Sequence, residues 1–235
     1  MNYSNRFTFL FVIFLCSAMF AAATENGKIP ITTSSEKAKS DFLKGRDLAE
    51  KLRIQDSMQY FQSAVKEDPN FALAHLNIAF AQPNGREFIE DVNKAVSLSD
   101  KASQGEKLWI LAVQAGANGL PSKQGEYFES LVSTYPNDER AHNLLGTYYF
   151  GLQQYDKAIQ QYEKAVNINQ DFTPAYNLLG YSYRFKGQFD KSEQAFRKYI
   201  ELIPNDPNPY DSFAELLMKT GRFDESIENY QKALK

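Results

Sequence analysis

The residues whose types could do chemistry are few, and their spacing does not form a recognisable site. Histidine occurs only at His75 and His142, far apart in the chain. Ser63 and Lys66 have the S-x-x-K spacing of some serine acyl enzymes, where residues three apart share a helix face, but the companion S-D-N motif is absent. We therefore expect a protein that is not an enzyme, with no catalytic residue, no metal and no cofactor.

Charge argues against nucleic acid as a partner. The 235-residue chain has 26 Lys and Arg against 29 Asp and Glu, a net charge of −3, and its basic residues are scattered among acids. A phosphate backbone calls for clustered Lys and Arg. No such cluster is present in the sequence.

The N-terminus has the pattern of a secretory signal peptide. Arg6 precedes an apolar run to Phe20 and then Ala21-Ala22-Ala23, which is a cation, a short apolar stretch and a small-residue cleavage site. The run is shorter than the ~20 residues of a spanning helix. We expect residues 1–23 to be removed, leaving an exported protein, periplasmic or secreted, with no spanning segment. Lipidation of Cys16 is the alternative, although Leu15 precedes it where bacterial lipidation signals have a small residue.

A period of 34 residues runs through the remaining sequence. The eighth place of each unit is Gly or Ala, at intervals of 34, 33, 34, 34 and 34: Gly45, Ala79, Ala112, Gly146, Gly180 and Ala214. The twenty-fourth place is aromatic in five of the six units. Each unit contains two apolar-periodic stretches, which predicts a pair of helices per unit.

The small eighth place predicts close helix packing. Gly180 should let the second helix of its unit approach, with Phe196 filling the space, so Gly180→Leu should cost ~1–3 kcal/mol through overpacking. Gly180→Ala should be neutral or stabilising because Ala has the higher helix propensity. The turn residues Asp156, Asp190 and Asp224 should cap the second helices.

The best unit resembles the tetratricopeptide repeat family. It reads Tyr176-Asn-Leu-Leu-Gly180-Tyr-Ser-Tyr183, then Gly187-Gln-Phe-Asp190, Phe196 and Pro204. The resemblance implies an all-α fold, a right-handed superhelical solenoid of about six helix-turn-helix repeats. The predicted domains are a signal peptide at 1–23, a polar lead-in at 24–37 in which Ser34 or Ser35 caps the first helix, and repeat units at 38–71, 72–104, 105–138, 139–172, 173–206 and 207–235.

The resemblance also implies where a partner binds. First helices of such arrays line a concave groove, which makes the protein a scaffold for an unidentified protein or peptide. The groove residues carried over from the family pattern are Arg140, Asn143, Thr147, Asn177, Tyr181, Arg184 and Asp211. The degenerate units at 72–138 should be less regular and contribute less, although Trp109 places an aromatic side chain there.

Two other roles stay open at this point. One is an assembly component of an envelope complex that associates with itself, because no capping helix follows the last unit and solenoid ends usually need a polar outer face. The face of Leu216, Leu217, Tyr230 and Ala233 should then be partly open. The other is an accessory subunit of an enzyme.

Overall fold

The computed structural model describes residues 27–234, which contain twelve α-helices and no strand. The helices are α1 Glu36–Glu50, α2 Ile54–Glu67, α3 Ala72–Ala81, α4 Gly85–Leu98, α5 Gln104–Ala117, α6 Pro121–Thr134, α7 Glu139–Gly151, α8 Tyr155–Ile168, α9 Thr173–Phe185, α10 Phe189–Leu202, α11 Pro207–Lys219 and α12 Phe223–Ala233. The predicted signal peptide, its cleavage site and Cys16 lie outside the described residues. Across 27–234 no helix is both long and apolar enough to cross a membrane.

The helices form a solenoid of repeats, as the sequence predicts. Each of the six units holds one helix pair, and each helix packs mainly against the helices before and after it. One unit is irregular, because α3 has 10 residues where the other first helices have 13 to 15. Pro83 stops helix α3 from continuing, and the side chain of Asn84 then caps α4 by accepting from the Glu87 N–H at 3.0 Å.

The eighth place is a contact between the paired helices, which confirms the predicted packing. A Cβ on Gly146 would lie 2.6 Å from Tyr162 Cε1, and a Cβ on Gly180 would collide with Cε1 of Phe196. Phe196 is fully buried, with 0% of its surface exposed. Gly180→Ala stays a prediction: its methyl group requires the buried Phe196 ring to shift, which works against the gain in helix propensity.

In five of the six units, the turn between the paired helices places one residue in the left-handed region. Gly187 and Gly221 have φ of +70° and +79°, as expected for glycines that relieve this turn. At the same place of other units, Leu52 and Gln153 adopt φ of +60° and +59° without being glycine. Non-glycine residues in this conformation carry backbone strain.

The predicted aspartate caps are wrong. Helices α8, α10 and α12 begin after Gln154, Gln188 and Arg222, which make no side-chain cap. Asp156 lies inside the first turn of α8, two residues past the N-cap Gln154, and it pairs with Lys186 at 2.9 Å. Its charge can still favour the positive end of the helix dipole.

The segment before α1 packs along the repeats. We call Gly27–Ser35 the strap. Its backbone N–H groups donate to one carboxylate after another: Ile29 to Asp138 and Thr32 to Glu106, both at 2.8 Å, and Ser34 to Asp68 at 3.0 Å.

The strap ties the first four units together, because its three acceptors lie at successive junctions between units. Lys28 also pairs with Glu139 at the start of α7, and Ile29 packs in the cluster that contains Tyr135. At the other end of the strap, Ser35 caps α1 by accepting from the Ala38 N–H at 3.1 Å, as predicted.

The C-terminal end agrees with expectation in part, because Tyr230 and Ala233 are partly exposed as predicted and the two leucines are not. Leu216 and Leu217 are buried in a cluster with Phe196 and Phe213, because α11 lies between α10 and α12. The open apolar surface is instead on α12, where Phe223 and Ile227 are 63% and 55% exposed.

Candidate functional site

The inner side of the solenoid encloses a cavity, which we call the inter-unit cavity. Its volume is about 290 Å³, and its walls come from α1, α3, α5, α7 and α9, the first helices of five units, with contributions from α2 and α10. A long-range ion pair lies at its wall: Arg140 on α7 donates from Nε to Glu50 Oε1 at 2.6 Å and from Nη2 to Glu50 Oε2 at 3.0 Å. Asn208 on α11 donates to the Lys51 carbonyl at 3.2 Å. The end of α1 therefore contacts both the fourth and the sixth unit.

Three buried polar atoms without a hydrogen-bond partner belong to residues that line this cavity. They are Trp109 Nε1, Asn143 Oδ1 and Tyr199 OH. Tyr199 is 0% exposed, and burial raises the pKa of its hydroxyl. Buried polar groups are nearly always paired in native proteins, so each exception calls for an explanation.

A fourth polar group, the guanidinium of Arg46, also lines the cavity. Its closest carboxylate contact within residues 27–234 is 3.8 Å, from Nε to Glu50 Oε1, which is too long for a hydrogen bond. Burial, followed by the neighbouring charge of Arg140, lowers the pKa of Arg46. Glu50 is already engaged by Arg140 through two hydrogen bonds, so the Arg46 charge is poorly compensated.

Three of the predicted groove residues line the same cavity: Arg140, Asn143 and Asn177. Asn177 is 8% exposed, and its Oδ1 accepts from the Ser212 hydroxyl at 3.1 Å. The structure therefore brings these side chains together, but Arg140 and Asn177 already have partners within the protein.

Two further predicted residues join the fifth unit to the sixth. Tyr181 donates from its hydroxyl to Ser212 at 3.2 Å, and Arg184 pairs with Glu215 at 2.7 Å. The Arg184 guanidinium lies 4.8 Å from the centroid of the Tyr181 ring, within the range of a cation–π contact. Both side chains hold adjacent units together.

The last two predicted residues are exposed. Asp211 lies near the C-terminal end, where burial and then Glu215 raise the pKa of its carboxyl. Thr147 lies in a second depression of about 610 Å³ in units two to four, which we call the apolar trough. Its walls include Phe80 and Leu152, which are 45% and 42% exposed. Phe80, Trp109 and Leu144 line both the trough and the cavity, so the two are adjacent.

The sequence did not single out Tyr199, Phe80 or Arg46 as site residues, and it placed Trp109 only as an aromatic side chain of the less regular units. One signal was present for Tyr199, which is a large side chain at a place where the other units carry Ala or Leu. Trp109 shares its place in the unit with Asn143 and Asn177. The pairing of α1 with α7 and α11 has no local sequence signal, because it depends on how tightly the solenoid winds.

The candidate catalytic residues have structural contacts. His75 and His142 contact the carbonyl oxygens of Pro69 and Pro136 through Nε2, at 3.2 and 3.0 Å, so each side chain ties its first helix to the junction before it. Tyr210, at the same place of the last unit, donates to the Pro204 carbonyl at 2.9 Å.

The possible serine acyl motif is not assembled. The Ser63 hydroxyl donates to Asp41 Oδ2 at 2.8 Å. A Lys219-Thr220-Gly221 triplet matches the K-T-G pattern of such enzymes, but it lies in the last unit and Thr220 bonds the end of its own helix. Among residues 27–234, no three His, Cys, Asp or Glu side chains are grouped to hold a metal.

Comparisons with known proteins support the repeat assignment. Family models described as tetratricopeptide repeat match residues 139–172, 173–206 and 208–235. None of the curated proteins matches the chain in sequence.

Solved structures share the fold at low sequence identity. A Cut9–Hcn1 hetero-tetramer of the APC/C matches at 20% identity and a TM-score of 0.58, over 84% of this chain and 40% of that one. MamA AMB-1 matches at 22% identity and 0.54, over 69% and 92%. A tetratricopeptide repeat protein from Parabacteroides merdae matches at 19% identity and 0.53, over 85% and 80%.

Proposed function

Because the chain belongs to the tetratricopeptide repeat family, we propose that it is a non-enzymatic scaffold that binds a protein or peptide partner on its inner surface. The observation that carries this proposal is the apolar trough. It is open to solvent, it is walled by the first helices of three units, and it exposes the large side chains of Phe80 and Leu152. Exposed apolar surface of this kind, rimmed by polar residues, is typical of protein interaction sites.

The remaining groove residues extend the proposed surface toward the C-terminus. Thr147 lies in the trough, and Tyr181, Arg184 and Asp211 continue along the inner side of the last two units. Tyrosine and arginine are common energetic anchors of interfaces. Arg184 is held in place by Glu215 and by the Tyr181 ring, which lowers the ordering cost of binding.

A site-specific crosslinker tests this function. Benzoylphenylalanine at Thr147 should capture the same partner repeatedly from envelope and secreted fractions, identified by mass spectrometry. The control position is Gln160, which is exposed on the second helix α8. Equal capture from both positions, or capture from Gln160 alone, would contradict binding on the inner surface.

A second candidate function is assembly through self-association. The observation behind it is the exposed apolar row formed by Phe223 and Ile227 on α12 and by Leu234 at its C-cap. In earlier units the same side of the second helix meets the next unit. Sedimentation should show a concentration-dependent dimer that Ile227→Asp removes and Gln231→Asp keeps. A strictly monomeric wild-type protein at high concentration would count against assembly.

We also propose export, on the sequence of residues 1–23 alone. Cleavage after Ala23 would leave the strap whole, because Gly27 lies beyond Thr24. N-terminal sequencing of the exported protein should begin at Thr24. A lipid-modified Cys16, or Met1 retained in a cytoplasmic form, would overturn the proposal.

A further inference from the structure

We propose that the inter-unit cavity binds a small monocarboxylic acid with an apolar body, and that Arg46, Trp109 and Tyr199 receive its carboxylate. This site is distinct from the apolar trough to which the partner protein is assigned. It goes beyond the scaffold function, because the ligand is a small molecule enclosed between units.

The walls of the cavity select an apolar body. Most lining side chains are aliphatic or aromatic, among them Leu52, Ile54, Phe61, Leu144, Phe172 and Leu178. At about 30 Å³ per non-hydrogen atom, the share of liquid volume taken by a water molecule, a cavity of about 290 Å³ holds a ligand of roughly ten such atoms. Octanoate is a probe of this size.

The polar groups without partners favour a ligand whose polar end is rich in hydrogen-bond acceptors. The Trp109 indole can only donate, the Tyr199 hydroxyl can donate, and Arg46 carries five N–H donors. Asn143 contributes an amide whose oxygen and nitrogen are interchangeable by rotation, so it can present its NH₂ group. A carboxylate accepts hydrogen bonds at both oxygens and would satisfy donors that have no partner within residues 27–234.

The charge of the cavity selects an anion. Arg140 is neutralised by Glu50 and Glu139, with N–O distances of 2.6 and 2.7 Å. Arg46 has only the 3.8 Å contact to Glu50. A negative ligand compensates the Arg46 charge, whereas a cation would meet two guanidinium groups. Hydrogen bonds between charged groups are about twice as strong as neutral ones.

The cavity is open to solvent along one side of its wall. Leu52 is 50% exposed and Phe80 is 45% exposed, and both line it. A small ligand can therefore enter the cavity without unfolding of a unit.

The protein carries its own reporter of binding. Trp109 is the single tryptophan of the chain, so intrinsic fluorescence follows the cavity directly. The full-length mature protein is titrated with octanoate, 1-octanol and octylammonium. The three probes share an apolar alkyl chain and differ in the polar group, which is a carboxylate, a hydroxyl or an ammonium. Octanoate should bind saturably and about tenfold more tightly than 1-octanol, and octylammonium should bind most weakly.

Two variants locate the head group. Arg46→Gln should reduce octanoate affinity about tenfold and leave 1-octanol unchanged, while the control Arg86→Gln, at a side chain 88% exposed on α4, changes neither. Tyr199→Phe removes a hydroxyl that has no protein partner, so the variant should stay folded and still lose octanoate affinity.

Three results would overturn the proposal. They are no saturable binding of octanoate, equal affinities for octanoate, 1-octanol and octylammonium, or wild-type octanoate affinity in both Arg46→Gln and Tyr199→Phe. Tighter binding of the peptide Gly-Gly-Leu than of octanoate would reassign the cavity to a peptide carboxyl end. None of these results bears on crosslinking from Thr147, so the scaffold function is tested separately.

Discussion

The two halves of the described chain hold together by different means. Units four to six, at 139–235, match the family pattern, and their contacts recur at the repeat interval. Ser192 bonds the Gly180 carbonyl at 2.7 Å, and 34 residues later Ser226 bonds the Ala214 carbonyl at 2.8 Å. Units one to three depart from that pattern in sequence, yet they form the same helix pairs. There the strap supplies contacts that do not recur at the repeat interval within residues 27–234.

The difference shows that a repeat unit can lose its sequence pattern when another segment replaces the lost contacts. The strap bonds carboxylates at three junctions between units, which is where a degenerate array would otherwise separate. Non-repeated contacts also create non-repeated sites. The inter-unit cavity takes Trp109 from the irregular half and Asn143 and Tyr199 from the regular half.

The largest expected effect on stability compares two aspartates that occupy the same place of the repeat unit, one in contact with the strap and one in the regular half. Asp138 and Asp206 both cap a first helix, but Asp138 also accepts from Ile29 of the strap. Asp138 is 2% exposed. Asp138→Ala should lower the free energy of unfolding by ~2–4 kcal/mol, since it loses a cap and leaves a strap N–H unpaired.

The matched control is Asp206→Ala, which removes a cap alone and should cost ~0.5–2 kcal/mol. Denaturant unfolding followed by circular dichroism measures both. Equal losses for the two variants would mean that the strap adds no stability to the irregular half.

The next effect tests the repeated contact of the regular half. Gly180→Leu should destabilise by at least ~1–3 kcal/mol, because its side chain must displace the buried Phe196 ring. Gly151→Leu is the control, since a Cβ there meets nothing within 4 Å. If Gly180→Leu melted at the wild-type temperature, the paired-helix contact would be wrongly placed.

Acid should release the strap before it disturbs the regular half. The Thr33 hydroxyl, together with the Ser34 and Asn70 N–H groups, holds the pKa of Asp68 below its ordinary value of 3.8. For Glu139, burial works in the opposite direction, but Lys28 and Arg140 outweigh it and lower the pKa. A lowered folded pKa gives stability that is complete above the unfolded value and is lost as pH falls through the folded value.

Hydrogen exchange measures this release. Protection of the Ser34 amide, which bonds Asp68, should fall below about pH 4, after correction for intrinsic exchange. The Ser192 amide, which bonds the Gln188 carbonyl within its own half at 3.0 Å, should keep its protection. Parallel loss at both amides would indicate global unfolding in place of strap release.

The repeat pattern predicted the fold because it reports local, recurring contacts. Gly146 and Gly180 with the aromatic rings they face are separated by one helix and a turn, so the period of the sequence contains them. The strap was predicted only as a polar lead-in, since its partners Asp68, Glu106 and Asp138 lie far ahead in the chain and look like ordinary junction residues. Side-chain polarity alone does not say which backbone groups a carboxylate will accept from.

The sequence predicted on which surface the candidate site lies better than it predicted which residues contact each other there. The family pattern placed Arg140, Asn143 and Asn177 on the inner surface, and the structure brings them to one cavity. It could not show that α1 would lie near enough for Glu50 to pair with Arg140. That contact depends on small rotations that accumulate over several units.

The smallest effect concerns the left-handed place of the intra-unit turn. Gln153 has φ of +59°, and its side chain is exposed, so Gln153→Gly should relieve strain without losing contacts. Glycine also gains conformational freedom in the unfolded chain, which offsets part of the relieved strain and leaves a net stabilisation of roughly 0.5 kcal/mol.

Leu52→Gly is the control. It relieves the same strain but removes a side chain that lines the inter-unit cavity, so the variant should be no more stable than the wild type. Differential scanning calorimetry of the two variants decides the matter. If Leu52→Gly were the more stabilising of the two, then the Leu52 side chain would add no stability as part of the cavity wall.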